Sequence, residues 1–121
     1  MYTNEFSSID DAANLFKRYL NEVYGGSFLI VLDYYTKLEE YEDSFSRLII
    51  KDPVKAYDIM LKIFKVELTI RILFEILISK LFEDILYAEK KTEELMNSFK
   101  RKDGEKAKEI ILETLRVKRV M

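Results

Sequence analysis

Lys65-Val66-Glu67-Leu68-Thr69-Ile70-Arg71-Ile72-Leu73-Phe74-Glu75-Ile76-Leu77-Ile78 is the stretch on which the fold class turns. Val66, Leu68, Ile70, Ile72, Phe74, Ile76 and Ile78 are apolar and alternate with Glu67, Thr69, Arg71, Leu73, Glu75 and Leu77. Period-two spacing rich in β-branched residues is a strand signal. A lone strand needs a partner, and only Phe28-Leu29-Ile30-Val31-Leu32 could supply one. Leu73, Leu77 and Leu81, with Ile70 and Phe74, fit a buried helix equally well. We read 65–78 as helix, which makes the chain mainly all-α: a compact bundle of four to five helices. Short strands at 28–32 and 66–72 are the competing assignment.

On the N-terminal side the punctuation is clear. Ser8-Ile9-Asp10-Asp11 offers Ser8 as a helix N-cap with a carboxylate three residues on. Ala12, Leu15, Phe16, Tyr19, Leu20 and Val23 follow at helical spacing, and Gly25-Gly26 closes the helix. Residues 28–32 fit a buried strand or the opening turns of a second helix. Leu38, Tyr41, Phe45, Leu48 and Ile49 resume a helical stripe, so 37–50 reads as helix. Asp52-Pro53 then restarts the chain, with Asp52 as cap and Pro53 at the first helical position. On the C-terminal side, 79–99 reads as a continuing amphipathic helix. Lys100-Arg101-Lys102-Asp103-Gly104 stops it, and a basic final helix spans 105–118 with Ala107, Ile110, Ile111, Thr114 and Leu115 inward.

The 121 residues suit one domain, 1–121, with no linker or internal repeat to divide it. A third of them are charged and half are apolar, a globular balance. The net charge of -2 conceals an asymmetry: residues 1–50 carry four Lys/Arg against nine Asp/Glu, and residues 100–121 carry eight against four. There is no Cys, hence no disulfide, zinc knuckle or thiol nucleophile, and no His to move protons near neutral pH. Lacking Trp and Gln as well, and rich in Lys and Glu, the composition leans towards a thermophile. Glu5, Asp10 and Asp11 interrupt any signal-peptide core, and Arg71, Glu75 and Lys80 interrupt the most apolar segment. The expectation is a soluble cytoplasmic protein with no membrane partner.

Chemistry has few footholds. With glycine only at 25, 26 and 104, neither phosphate-binding loop can be assembled. Glu39, Glu42 and Asp43, if helical, share a face that could hold magnesium; a solvated helix face is the plainer reading. Asp84 with Glu89-Lys90-Lys91 has the look of a nuclease Asp…Glu-x-Lys set, but on a helical pattern, where a solvated face explains it better. No cofactor, metal or small-molecule substrate is expected, and the chain is not expected to be an enzyme. Lys100, Arg101, Lys102, Lys106, Lys108, Arg116, Lys118 and Arg119 form a basic tail suited to phosphate contact, although Asp103, Glu105, Glu109 and Glu113 dilute it.

Residues 15–72 resemble the N-terminal helical subdomain of archaeal minichromosome maintenance (MCM) replicative helicases. The resemblance is carried by Leu15-Phe16-Lys17-Arg18-Tyr19-Leu20, by Ser27-Phe28-Leu29-Ile30-Val31-Leu32-Asp33-Tyr34, and by Leu38-Glu39-Glu40-Tyr41-Glu42-Asp43 leading into Leu48-Ile49-Ile50-Lys51-Asp52-Pro53. Val66-Glu67-Leu68-Thr69-Ile70-Arg71-Ile72 is similar to the strand by which that subdomain joins its OB-fold, and the resemblance implies an extended 66–72. The zinc module, the DNA-binding hairpin and the ATPase have no counterpart, so no functional residue carries over. What it implies is an accessory protein beside a replication ring.

Two functions follow as expectations. The first is a non-enzymatic adaptor or regulator of a DNA replication or other nucleoprotein complex. It would meet a protein partner through an acidic aromatic face around Tyr34, Tyr41 and Asp43, or through an apolar stripe on the last helix. Homodimerisation through Leu95, Met96, Phe99, Ile110, Ile111 and Leu115 belongs to the same reading. The second is a nucleic-acid-binding protein, with DNA held by the tail at 100–119.

Overall fold

The computed structural model describes residues 6–120, and among them every regular element is a helix. There are seven: α1 (Ile9–Tyr24), α2 (Gly26–Leu38), α3 (Phe45–Lys51), α4 (Pro53–Phe64), α5 (Glu67–Ser79), α6 (Ile85–Lys100) and α7 (Gly104–Val120). The all-α reading stands; the count of four to five helices does not.

Local chemistry sets most of the boundaries. Ser8 Oγ accepts from the Asp11 N–H at 3.1 Å, and Gly25, at φ 88°, closes α1 and opens α2. Asp52 ends α3 and its carboxylate caps α4, where Pro53 occupies the first turn. Asp84 accepts from the Tyr87 N–H at 3.2 Å and starts α6, while Asp103 accepts from the Lys106 N–H at 3.1 Å and starts α7.

Both proposed strands are helical. Residues 28–32 lie inside α2, so 66–72 has nothing to pair with; Val66 alone is extended and Glu67 begins α5. The alternation at 66–78 arises because α5 carries aliphatic side chains on its outer as well as its inner face. Two continuous helices are also corrected. The expected helix 37–50 is broken at 39–44, where Glu40 takes φ 65° and the Asp33 carboxylate accepts the Phe45 N–H that opens α3. The expected helix 79–99 is broken at 80–84.

All seven helices feed one core. Phe45, Ile49, Ile59, Ile70, Leu95, Phe99, Ile110 and Leu115 are virtually without solvent exposure. Tyr57 of α4 stacks on Phe99 of α6 with ring centroids 4.6 Å apart, and Phe74 of α5 leans on the same ring at 5.8 Å. The helices α5 and α6 run antiparallel, as the Lys100–Glu67 and Arg71–Glu93 pairs require. Against α6, α7 is clipped by Glu113, which accepts from the Tyr87 hydroxyl and from Lys91, both at 3.2 Å. Burial, then the charge of Glu113, raises the Tyr87 pKa against the opposing pull of Lys91. Burial is the largest single influence on Lys91 and works to lower its pKa, but the bond to Glu113 and the charges of Glu113, Tyr87 and Glu94 together outweigh it and raise the pKa.

Candidate functional site

The expected interaction residues do not form one face. Tyr34 stands on the outer side of α2, 59% exposed, with its ring edge-on to Tyr35 at 5.6 Å. Tyr41 belongs to the turn after α2, half-buried, with the Lys55 ammonium 5.7 Å from its ring centre. It borders an open groove of mixed polarity and about 520 Å³, shared with Glu39, Asp58, Leu61 and Lys62. Asp43 is occupied within its own segment, 3.1 Å from Arg47 Nε and 2.9 Å from Lys51 Nζ. Glu39 is paired with Lys62 at 2.7 Å. Glu39, Glu42 and Asp43 therefore share no helical face, and no three acidic side chains converge on a cation-sized site among the described residues.

The apolar stripe expected on the last helix, and the homodimer surface expected to combine it with residues of α6, are both corrected. Leu95, Met96, Phe99, Ile110, Ile111 and Leu115 are all buried in the core, because α6 and α7 turn these faces inward against α4 and α5. They leave nothing for a partner.

The basic tail is largely engaged with the protein itself. Lys100 pairs with Glu67 at 3.3 Å and Lys106 with Glu109 at 3.2 Å. At the far end of α7, Lys118 reaches Glu22 at 2.8 Å and lies over the Tyr19 ring, while Arg119 reaches Asp11 at 2.9 Å and lies over Phe6. Arg116 is half-buried and engaged as well. The Arg101, Lys102 and Lys108 side chains have no ion pair or hydrogen bond to other described residues. Only these three of the eight expected cations keep their charge wholly for a ligand.

What the sequence reading missed lies on α2 and α5. The inner face of α2 buries Leu29, Leu32 and Thr36. Its outer face presents Ile30 (70% exposed), Val31, Tyr34 and Leu38 (54%), at i, i+1, i+4 and i+8. A helix that is apolar all round is ordinarily covered on all sides. Here one side has no cover among the described residues. Four large side chains in register differ from the scattered apolar residues of any protein surface, since they form one continuous stripe. The signal was present in the run Phe28–Leu32, which has no polar residue to mark an outer face.

The cleft between α1, α5 and α7, lined by Phe16, Tyr19, Phe74, Leu77, Leu95 and Leu115, has room for only about 20 Å³. That is the scale of a single water, far below a ligand pocket. The tyrosines with the most displaced acidities serve the fold. Burial pushes Tyr19 and Tyr24 up to about 12, and both donate to backbone carbonyls of α5. Burial, reinforced by Glu67, does the same to Tyr57. No helix among the described residues is long and apolar enough to cross a membrane.

Comparison of the chain with protein families, with curated proteins and with solved structures returns no match.

Proposed function

We propose that this is a non-enzymatic interaction protein whose partner-binding surface is the outer face of α2. The observation that carries this reading is the unbroken stripe Ile30–Val31–Tyr34–Leu38, exposed on a helix whose opposite face is already buried. Spacing of i, i+4 and i+8 suits a partner helix or an apolar groove, and a tyrosine near the centre supplies area with a polar tip. Lys37, Glu40 and Glu42 border the stripe and would form a polar rim. A role beside a replication ring rests on the resemblance of residues 15–72 alone and is part of this proposal. The test is affinity capture from source cells with wild-type protein and with Ile30→Glu/Tyr34→Ala. A protein retained by wild type and lost from the folded variant supports the reading; identical retention sinks it.

The nucleic-acid alternative has narrower support, because it rests on Arg101, Lys102 and Lys108. Fluorescence anisotropy with single- and double-stranded DNA across a salt series tests it. Salt-sensitive binding lost in Arg101→Ala/Lys102→Ala/Lys108→Ala would favour it.

A further inference from the structure

A second apolar ridge lies on α5. Leu68, Ile72 and Ile76 are 60%, 46% and 36% exposed and stand at strict i, i+4, i+8 spacing. The opposite face of the same helix buries Ile70, Phe74, Leu77 and Ile78. On α6, Leu86 is more exposed than any of them and lies two turns from Glu93, hence on the same face. Glu93 approaches Arg71 at 3.8 Å, so that face of α6 flanks the ridge and Leu86 extends it. Together the four side chains expose roughly 400 Å² of largely aliphatic surface, about half of the ~800 Å² per partner that a standard interface buries.

The geometry points to a second copy of this chain as the occupant, packed with α5 against α5 across a twofold axis near Ile72. A ridge of i±4 side chains fits the grooves between the same ridge on another helix. A twofold interface must be self-complementary, and this one is. With the helices antiparallel, Leu68 of one copy falls against Ile76 of the other, and the two Ile72 side chains meet. The charges obey the same symmetry. Arg71 and Glu75 lie on one flank of the ridge, one turn apart, and the twofold sets Arg71 of each copy between Glu75 and Arg71 of the other, so that two attractions across the axis outnumber one repulsion. Glu75 is ready for this, since its carboxylate has no ion pair with any described residue, and the Arg71–Glu93 approach is long and exposed on both sides. The charges bordering the α2 stripe, Lys37, Glu40 and Glu42, all lie at its C-terminal end and not along a flank, so the dimer and the α2 surface are separate inferences.

Sedimentation equilibrium on the full chain from about 1 to 100 µM, a span matched to ordinary dimer affinities, tests the proposal. Wild type is expected to be dimeric at the upper end, and Ile72→Lys monomeric with an unchanged circular dichroism spectrum. Arg71→Glu and Glu75→Arg each place like charges opposite one another and are expected to weaken association about tenfold or more. An equimolar mixture of those two variants restores both ion pairs and is expected to regain the wild-type affinity as a heterodimer. A monomeric wild type, a dimer indifferent to Ile72→Lys, or a mixture no tighter than its components would each overturn the proposal. So would a dimer dissolved by Tyr34→Ala and untouched by the α5 variants, which would assign association to α2.

Discussion

The Tyr19 hydroxyl donates to the main-chain carbonyl of Leu77, so a side chain of α1 completes the C-terminal end of α5. The Lys80 N–H returns to Ile76 and the Leu81 N–H turns to Ile78, which leaves the Leu77 oxygen among the carbonyls that a helix end orphans. One turn further along α1, Tyr24 donates at 2.7 Å to the carbonyl of Leu73, which lies within α5.

Removing the first hydroxyl strands a buried acceptor. Tyr19→Phe is expected to lower stability by about 1–3 kcal/mol, and Tyr24→Phe by less, since the helical ladder already engages the Leu73 carbonyl. Urea denaturation checks this: the midpoint falls and the slope is unchanged.

Alkali should unfold the protein through the same residues. Burial raises Tyr19, Tyr24 and Tyr57 from 10 to about 12. A group whose folded pKa exceeds its unfolded value contributes stability that is complete below pH 10 and is lost as pH rises through about 12. Ultraviolet titration should show the three buried phenols ionising only towards pH 12, together with loss of helical signal. Ionisation of all of them near pH 10 in the folded state would refute the assignment.

The aromatic stack at the centre of the core sets a large single-residue cost. Phe99 is 2% exposed and touches both Tyr57 and Phe74. Phe99→Ala is expected to cost about 3–5 kcal/mol by thermal or chemical denaturation, with α4, α5 and α6 losing a shared partner.

The tail cations should divide by their partners. Lys118→Ala and Arg119→Ala release α7 from α1 and are expected to cost up to about 1 kcal/mol each, less at high salt. Arg101→Ala, Lys102→Ala and Lys108→Ala should fall within about ±0.5 kcal/mol of wild type. Equal effects from the two sets would contradict the pairing seen at the end of α7.

The helix boundaries that chemistry marks locally were legible in the sequence. Ser8, Gly25-Gly26 and Asp52-Pro53 each placed an end correctly, and the stop at Lys100–Gly104 separated α6 from α7, because a cap or a glycine acts within three residues of itself. The breaks missed or left unplaced have another cause. Glu40 and Lys65 turn the chain at φ 65° and 67° with ordinary side chains, a conformation that tertiary packing imposes and local composition does not announce. Asp84 is a good N-cap that the apolar flow of Leu81, Phe82 and Ile85 disguised. The tail was misread for a related reason. Lys118 and Arg119 look free along the sequence, and only the fold brings Glu22 and Asp11 to them. The apolar runs of α2 and α5 were legible in the sequence, but which side of each helix meets the core was not, because few polar residues mark an outer face.

The Glu22–Lys118 pair joins residues 96 positions apart, and α7 lies against α1, α3 and α4. On the ribosome, then, the first helix emerges long before its last neighbour exists. At about 5–20 residues per second, Leu15, Phe16 and Tyr19 wait for several seconds before Ile111 and Leu115 arrive to cover them. The nascent chain is therefore a natural client for a holdase during synthesis, and a ribosome stalled before α7 displays an unfinished, adhesive α1.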